Sequence, residues 1–151
     1  MAKKGDRPWT LNVLVVITLV VVFATYAAHY KNWTRMGKDS YRITSGIYYL
    51  KVPFADMDSV GMVERLPSMK RINGFSVNEI EKGAYKEDST AQNKVYVFVE
   101  KLPQPKIRVV YRDSLQLFLN FRDSMETQKV FGDLSKIINL SHGDHSKEDN
   151  R

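Results

Sequence analysis

Three histidines and no cysteine bound the chemistry open to this chain. His29 closes an apolar run, and His142 and His145 lie near the C-terminus, so no histidine falls within residues 40–140. A Cys–His pair or a Ser–His relay therefore cannot be built in that region. His142-x-x-His145 with Asp144 offers two imidazoles and a carboxylate. In a polar tail with no fixed further ligand, these residues are expected to be solvated rather than metal-bound. The missing cysteines also remove disulfides, thiolate sites and a lipidated anchor. Neither a metal nor a cofactor is expected.

Two carboxylate pairs, Asp56 with Asp58 and Glu79 with Glu81, have the spacing that places both members on one strand face. General acid–base work needs carboxyl groups opposed across a cleft, which this spacing does not supply, so turn capping or a solvated face is expected. No catalytic residue and no enzymatic activity are expected. The basic residues Lys70, Arg71, Lys82 and Lys86 flank two glycines, Gly74 and Gly83, and form a candidate patch for a lipid headgroup or a protein partner. Glu79, Glu81, Glu87 and Asp88 are interspersed among them and offset part of their charge. Asn32-Trp33-Thr34 and Asn139-Leu140-Ser141 match the glycosylation acceptor pattern. Asp58, Asp88, Asp113 and Asp123 each precede a serine, as turn and cap positions do.

The element that must position all of these is residues 11–28, LNVLVVITLVVVFATYAA, which carry no charge. With Trp9 and Tyr30 as edges, the run grows to about 22 residues, roughly 33 Å of helix, enough to cross a hydrocarbon core. Trp9 on one side and Tyr26, Tyr30 and Trp33 on the other are rings suited to the two headgroup layers. A cleaved signal needs a shorter apolar region and a clean small-x-small site, which Tyr26-Ala27-Ala28 does not provide, so a retained anchor is expected. Within it, Ala24 and Ala28 share a face. Asn12 and Thr25 bring polar groups, and the four are candidate contacts to another helix in the membrane. Lys3, Lys4 and Arg7 precede the span and Lys31, Arg35, Lys38 and Arg42 follow it, so the charges on the two sides nearly tie. The ten-residue basic tail, like the positive end of an uncleaved signal anchor, leans towards a cytoplasmic N-terminus and a domain on the opposite side.

The charge divides unevenly about the anchor. Residues 1–38 hold six Lys/Arg and one Asp, a net +5, whereas residues 39–151 hold 17 basic and 16 acidic side chains, a net +1. The basic excess thus belongs to the membrane collar, and nucleic-acid binding by the domain is not expected.

After the anchor, residues 31–39 read as a polar connector, residues 40–140 as one small domain, and residues 141–151 as a disordered polar tail. Residues 41–44 and 47–52 read as strands about a Ser45-Gly46 turn. Residues 57–66 fit a helical turn or a strand. Gly74 and Gly83 mark backbone demands inside strands, and residues 87–93 read as a polar hairpin loop. KVYVFV, KIRVVY and LQLFLNF predict three successive antiparallel strands, Val95, Val97 and Val99 facing one way and Tyr96 and Phe98 the other. Asp123, with Glu126 three positions on, then predicts the start of a helix whose stripe is Val130, Phe131, Leu134, Ile137 and Ile138.

The pairs Asn73-Gly74-Phe75 and Gly83 with Tyr85, then Tyr96, Pro105, Ile107, Asn120, Asp123 and Thr127, resemble the bacterial pleckstrin-homology-like family over about residues 40–140. The resemblance implies an α+β domain, a strongly bent antiparallel sheet or partly open barrel of about seven strands capped by a C-terminal helix. Such domains commonly follow membrane helices and are usually cytosolic, which runs against the orientation read from the basic tail. The expected function is a non-catalytic, single-pass recognition or scaffold subunit of a membrane assembly. Its expected place is the bacterial inner membrane with the domain on the periplasmic side, and its partners are other membrane proteins and the bilayer. The alternative is a membrane-held sensor of phospholipid headgroups or small ligands.

Overall fold

The structure, a computed structural model, describes residues 9–87 and 93–148, apart from the side chains of His29 and residues 142–148. Helix α1 (Trp9–Tyr30) is exposed along its length, and it is long and apolar enough to cross a bilayer. Thr18 and Thr25 donate their hydroxyls to the carbonyls of Leu14 and Val21, at 2.9 and 2.8 Å, so both polar groups are satisfied within the helix. The basic tail lies largely outside the described residues.

Lys31 alone separates α1 from β1 (Asn32–Met36), which pairs antiparallel with β2 (Ser40–Ser45), itself paired with β3 (Tyr48–Pro53). The expected connector is therefore a strand. Its inward residue, Asn32, is polar, so the apolar alternation that betrays a strand is missing. Gly46, at φ 61°, turns β2 into β3.

The second sheet holds β4 (Met57–Val63), β5 (Met69–Val77), β6 (Ile80–Glu87), β7 (Lys94–Val99), β8 (Lys106–Tyr111) and β9 (Leu115–Leu119), in the spatial order β4-β8-β9-β7-β6-β5. Residues 57–63 are thus a strand rather than a helical turn. The expected all-antiparallel succession does not occur: β9 enters between β7 and β8 and runs parallel to β7. Pro103 and Pro105 bring no N–H to a β7–β8 ladder, and Asn120, just past β9, holds the loop in place of a strand. Its Oδ1 accepts the amides of Glu100 and Lys101 at 2.9 and 3.2 Å, and its Nδ2 donates to the carbonyls of Lys101 and Pro105 at 2.8 and 3.3 Å.

The two edge strands of the sheet are drawn towards each other. Six flat strands would put β4 and β5 about 24 Å apart. The six steps from Val63 to Met69 span at most roughly 22 Å. Val63, Leu66 and Met69 pack together on a cluster of Tyr85, Val95, Val97, Val99 and Phe118. The two edges nonetheless do not pair, so the sheet is not closed into a barrel. Its other face packs Phe98, Ile107, Val109, Leu117 and Leu119 against Tyr41, Ile43 and Val52 of the small sheet and against Leu134 and Ile138 of α2 (Ser124–Glu148). The alternation expected in β7 holds on both faces.

Asp123 caps α2 by accepting the Met125 amide at 2.9 Å, and the Thr127 hydroxyl accepts the Phe121 amide at 3.0 Å. The helix continues past Leu140 to Glu148 rather than giving way to a tail at residue 141. Nine strands in two sheets replace the seven expected. The loop expected at residues 87–93 lies mostly outside the described residues.

Candidate functional site

The junction between α1 and the domain is built from buried polar groups. Glu100, at the end of β7, accepts the backbone amide of Asn32 through one carboxylate oxygen and that of Arg122, at 2.9 Å, through the other. The Asn32 amide group donates to the carbonyls of Phe98 and Asn120 at 2.7 and 3.1 Å, and its oxygen accepts the Ser45 hydroxyl at 2.6 Å. Both Asn32 and Glu100 are buried, and each is satisfied, as burial requires. Above them the Arg122 guanidinium lies 4.1 Å from the ring centroid of Tyr30, the last residue of α1. Asn32 is therefore fully engaged and does not present a glycosylation acceptor.

The β5–β6 hairpin stands beside the same junction. Gly74 and Gly83 are directly opposite each other, at φ 128° and 154°, and a Cβ on either would run into the other's strand. The two glycines let the strands approach closely there, and a register shift between Arg71 and Asn73 adds a bulge. A two-residue turn at Asn78 (φ 53°) and Glu79 closes the hairpin, and the Glu79 carbonyl accepts the Leu102 amide at 2.9 Å. The tip is thereby tied to the β7–β8 loop.

Between hairpin and helix runs a groove of about 760 Å³. Val21, Val22, Thr25, Tyr26 and Tyr30 form its helix wall. Phe75, Val77, Asn78, Glu79 and Ile80 form the hairpin wall, and Arg122 stands at the junction end. The walls are apolar apart from this one cation, one carboxylate, and the Asn78, Thr25 and tyrosine polar groups.

The basic residues singled out in the sequence do not form one patch. Lys70 and Lys86 are exposed cross-strand neighbours, whereas Arg71 pairs with Tyr85 in the adjacent register position and so belongs to the opposite face. Lys82 is completely buried, and its ammonium has no hydrogen-bond partner among the described residues. Burial lowers its pKa to about 8, with the Glu100 charge acting the other way. Lys82 thus contributes to the interior field of the junction rather than to a surface. Of the membrane candidates, Thr25 lines the groove. Asn12, Ala24 and Ala28 are exposed outside it.

The carboxylate pairs hold backbone. Asp56 pairs with Arg112 at 2.8 Å, and Asp58 accepts the Asp113 amide at 2.8 Å. Together they fix the β8–β9 turn, where Arg112 and Asp113 sit at φ 51° and 64°. Glu79 faces the groove and Glu81 lies beside Tyr85, so that pair does not converge either. Among the described residues no three His, Asp or Glu side chains are grouped to hold a metal. The side chains of His142, Asp144 and His145 lie outside the described residues.

The residues that sequence reasoning missed are Glu100 and Arg122, with Asn32 seen only as an acceptor motif. One signal was present: Glu100 directly follows the apolar run VYVFV, where a charge at a strand end can serve a buried partner. No family model matches the chain, and neither a curated protein nor a solved structure matches it.

Proposed function

We propose that the chain is a non-catalytic, single-pass subunit of a membrane protein assembly, a pleckstrin-homology-like recognition domain held close against the bacterial inner membrane by α1. The observation that carries this reading is the junction. α1 enters the domain after one residue, and Asn32, Glu100, Asn120 and Arg122 bond its exit into the sheet. The Arg122 guanidinium over the Tyr30 ring adds a contact to α1 itself, which supports reading it as an anchor that orients the domain. Lys3, Lys4 and Arg7 support a cytoplasmic N-terminus, with the domain on the periplasmic side. Ala24 and Ala28, exposed and outside the groove, present a small-residue face to a partner helix.

The test is alkaline extraction of membranes containing the full chain, followed by crosslinking and identification of what copurifies. Retention in the membrane with a stable protein partner is expected, and replacing Ala24 and Ala28 with Leu is expected to lower partner yield. A chain released by alkali, or one that stays inserted with no partner, contradicts the reading. For orientation, a C-terminal alkaline phosphatase fusion is expected to be active. An inactive phosphatase together with a bright cytoplasmic reporter places the domain inside.

A second reading is sensing of lipid by the domain itself. The groove between α1 and the hairpin favours it over the expected four-residue basic patch, since burial removes Lys82 and the register separates Arg71 from Lys70 and Lys86.

A further inference from the structure

We propose that the groove seats one zwitterionic phospholipid of the bilayer, an acyl chain lying along Val22, Phe75 and Val77 and the headgroup spanning Arg122 and Glu79. This rests on the reading of α1 as a membrane span. Val22 lies eight residues before Tyr30, about 12 Å along the helix axis, while a hydrocarbon leaflet is about 15 Å deep. The helix wall of the groove thus runs from the headgroup level, marked by Tyr26 and Tyr30, well into acyl depth. Phe75, Val77 and Ile80 of the facing wall add apolar surface to the groove, and Val77 is 53% exposed beside the hairpin turn.

The polar end determines the headgroup. Arg122 is exposed, its guanidinium makes no ion pair among the described residues, and its fork of donors matches a phosphate. Glu79 lines the same groove and is also exposed. A carboxylate there disfavours a purely anionic headgroup and complements a primary ammonium. Phosphate and ammonium on one headgroup satisfy both residues. Size argues against a partner helix: at about 10 Å across and 1.5 Å per residue, 760 Å³ holds roughly six residues, fewer than two turns. That volume is instead within the usual range of a small-molecule site.

The test uses the full chain in nanodiscs of equimolar phosphatidylethanolamine and phosphatidylglycerol, released for native mass spectrometry. Wild type is expected to retain one phosphatidylethanolamine per chain. Val22→Trp, which fills the groove and keeps the span apolar, is expected to retain none. Arg122→Gln is expected to lower retention roughly tenfold, and Glu79→Gln to let phosphatidylglycerol compete equally. Retention of no lipid, preference for phosphatidylglycerol by the wild type, or undiminished retention by Val22→Trp overturns the proposal. Alkaline extraction of the same preparations separates the two levels. A chain released by alkali overturns the span itself, and a chain that stays inserted but holds no lipid overturns only the groove assignment.

Discussion

The guanidinium of Arg122 stacks 4.1 Å from the ring of Tyr30, joining the residue before the α2 cap to the last residue of the apolar helix. The contact sits over Glu100, whose two carboxylate oxygens take the amides of Asn32 and Arg122, so the exit of α1 is held by side chain and backbone together. Arg122→Ala keeps the backbone bond and loses the stacking. It is expected to cost about 0.5–1 kcal/mol in thermal unfolding of the full chain in detergent.

Asn120 is the costlier residue to remove. It is completely buried and makes four side-chain hydrogen bonds to the β7–β8 loop. Asn120→Ala leaves buried amides and carbonyls unpaired and is expected to destabilise by about 2–4 kcal/mol in denaturant titration. The exposed Asn139→Ala serves as the control and is expected to stay within about 0.5 kcal/mol.

Glycine replacement should divide by location. Gly74→Ala or Gly83→Ala puts a methyl group into the facing strand at a positive φ, with an expected loss above about 1 kcal/mol. Gly132 lies in α2 with nothing within 4 Å of its added Cβ, and Gly132→Ala is expected to stabilise by about 0.5–1 kcal/mol. Equal effects at the two locations would refute the close-approach account of the hairpin.

The buried lysines give stability a pH dependence of definite sign. Burial lowers Lys82 to about 8, against a usual lysine value near 10.4, so between those values the unfolded chain binds a proton that the folded chain does not. Stability therefore rises with pH across that window. Lys106, lowered chiefly by burial, adds the same sign. Near pH 10 the buried phenols begin to oppose it: Tyr111 is pushed up to about 12, first by burial, and keeps a proton that the unfolded chain loses. Thermal midpoints from pH 7 to 9.5 should climb. Lys82→Met should raise stability at pH 7 by about 2–3 kcal/mol and flatten much of the climb.

The parts of the fold legible in the sequence are those set by local pattern. Val95 to Val99 alternate because both faces of β7 are buried against different clusters. Gly74 and Gly83 marked a backbone demand, and Asp123 marked the start of α2. What escaped depends on distant partners. Asn32 reads as a linker residue because the groups that satisfy it, Glu100 and the carbonyls of Phe98 and Asn120, lie far along the chain. Parallel pairing of β7 with β9 depends on Asn120 bracing a loop, which no periodicity encodes. Lys82 reads as a surface cation from its neighbours, but the register places it opposite Phe75, inside. The groove joins two segments of unrelated pattern, so only the folded chain brings it together.

The junction and the groove both require α1 and the domain to be held in one orientation. The absence of native cysteine allows spin labels to be placed at Phe23→Cys and Ser76→Cys alone, both exposed and both outside the groove lining. Pulsed electron–electron distance measurement on the full chain in nanodiscs should give a single narrow distribution, and Glu100→Ala should broaden it. A wild-type distribution spread over tens of ångströms would contradict the claim, because the helix would then be a tether and its groove with the hairpin would not persist.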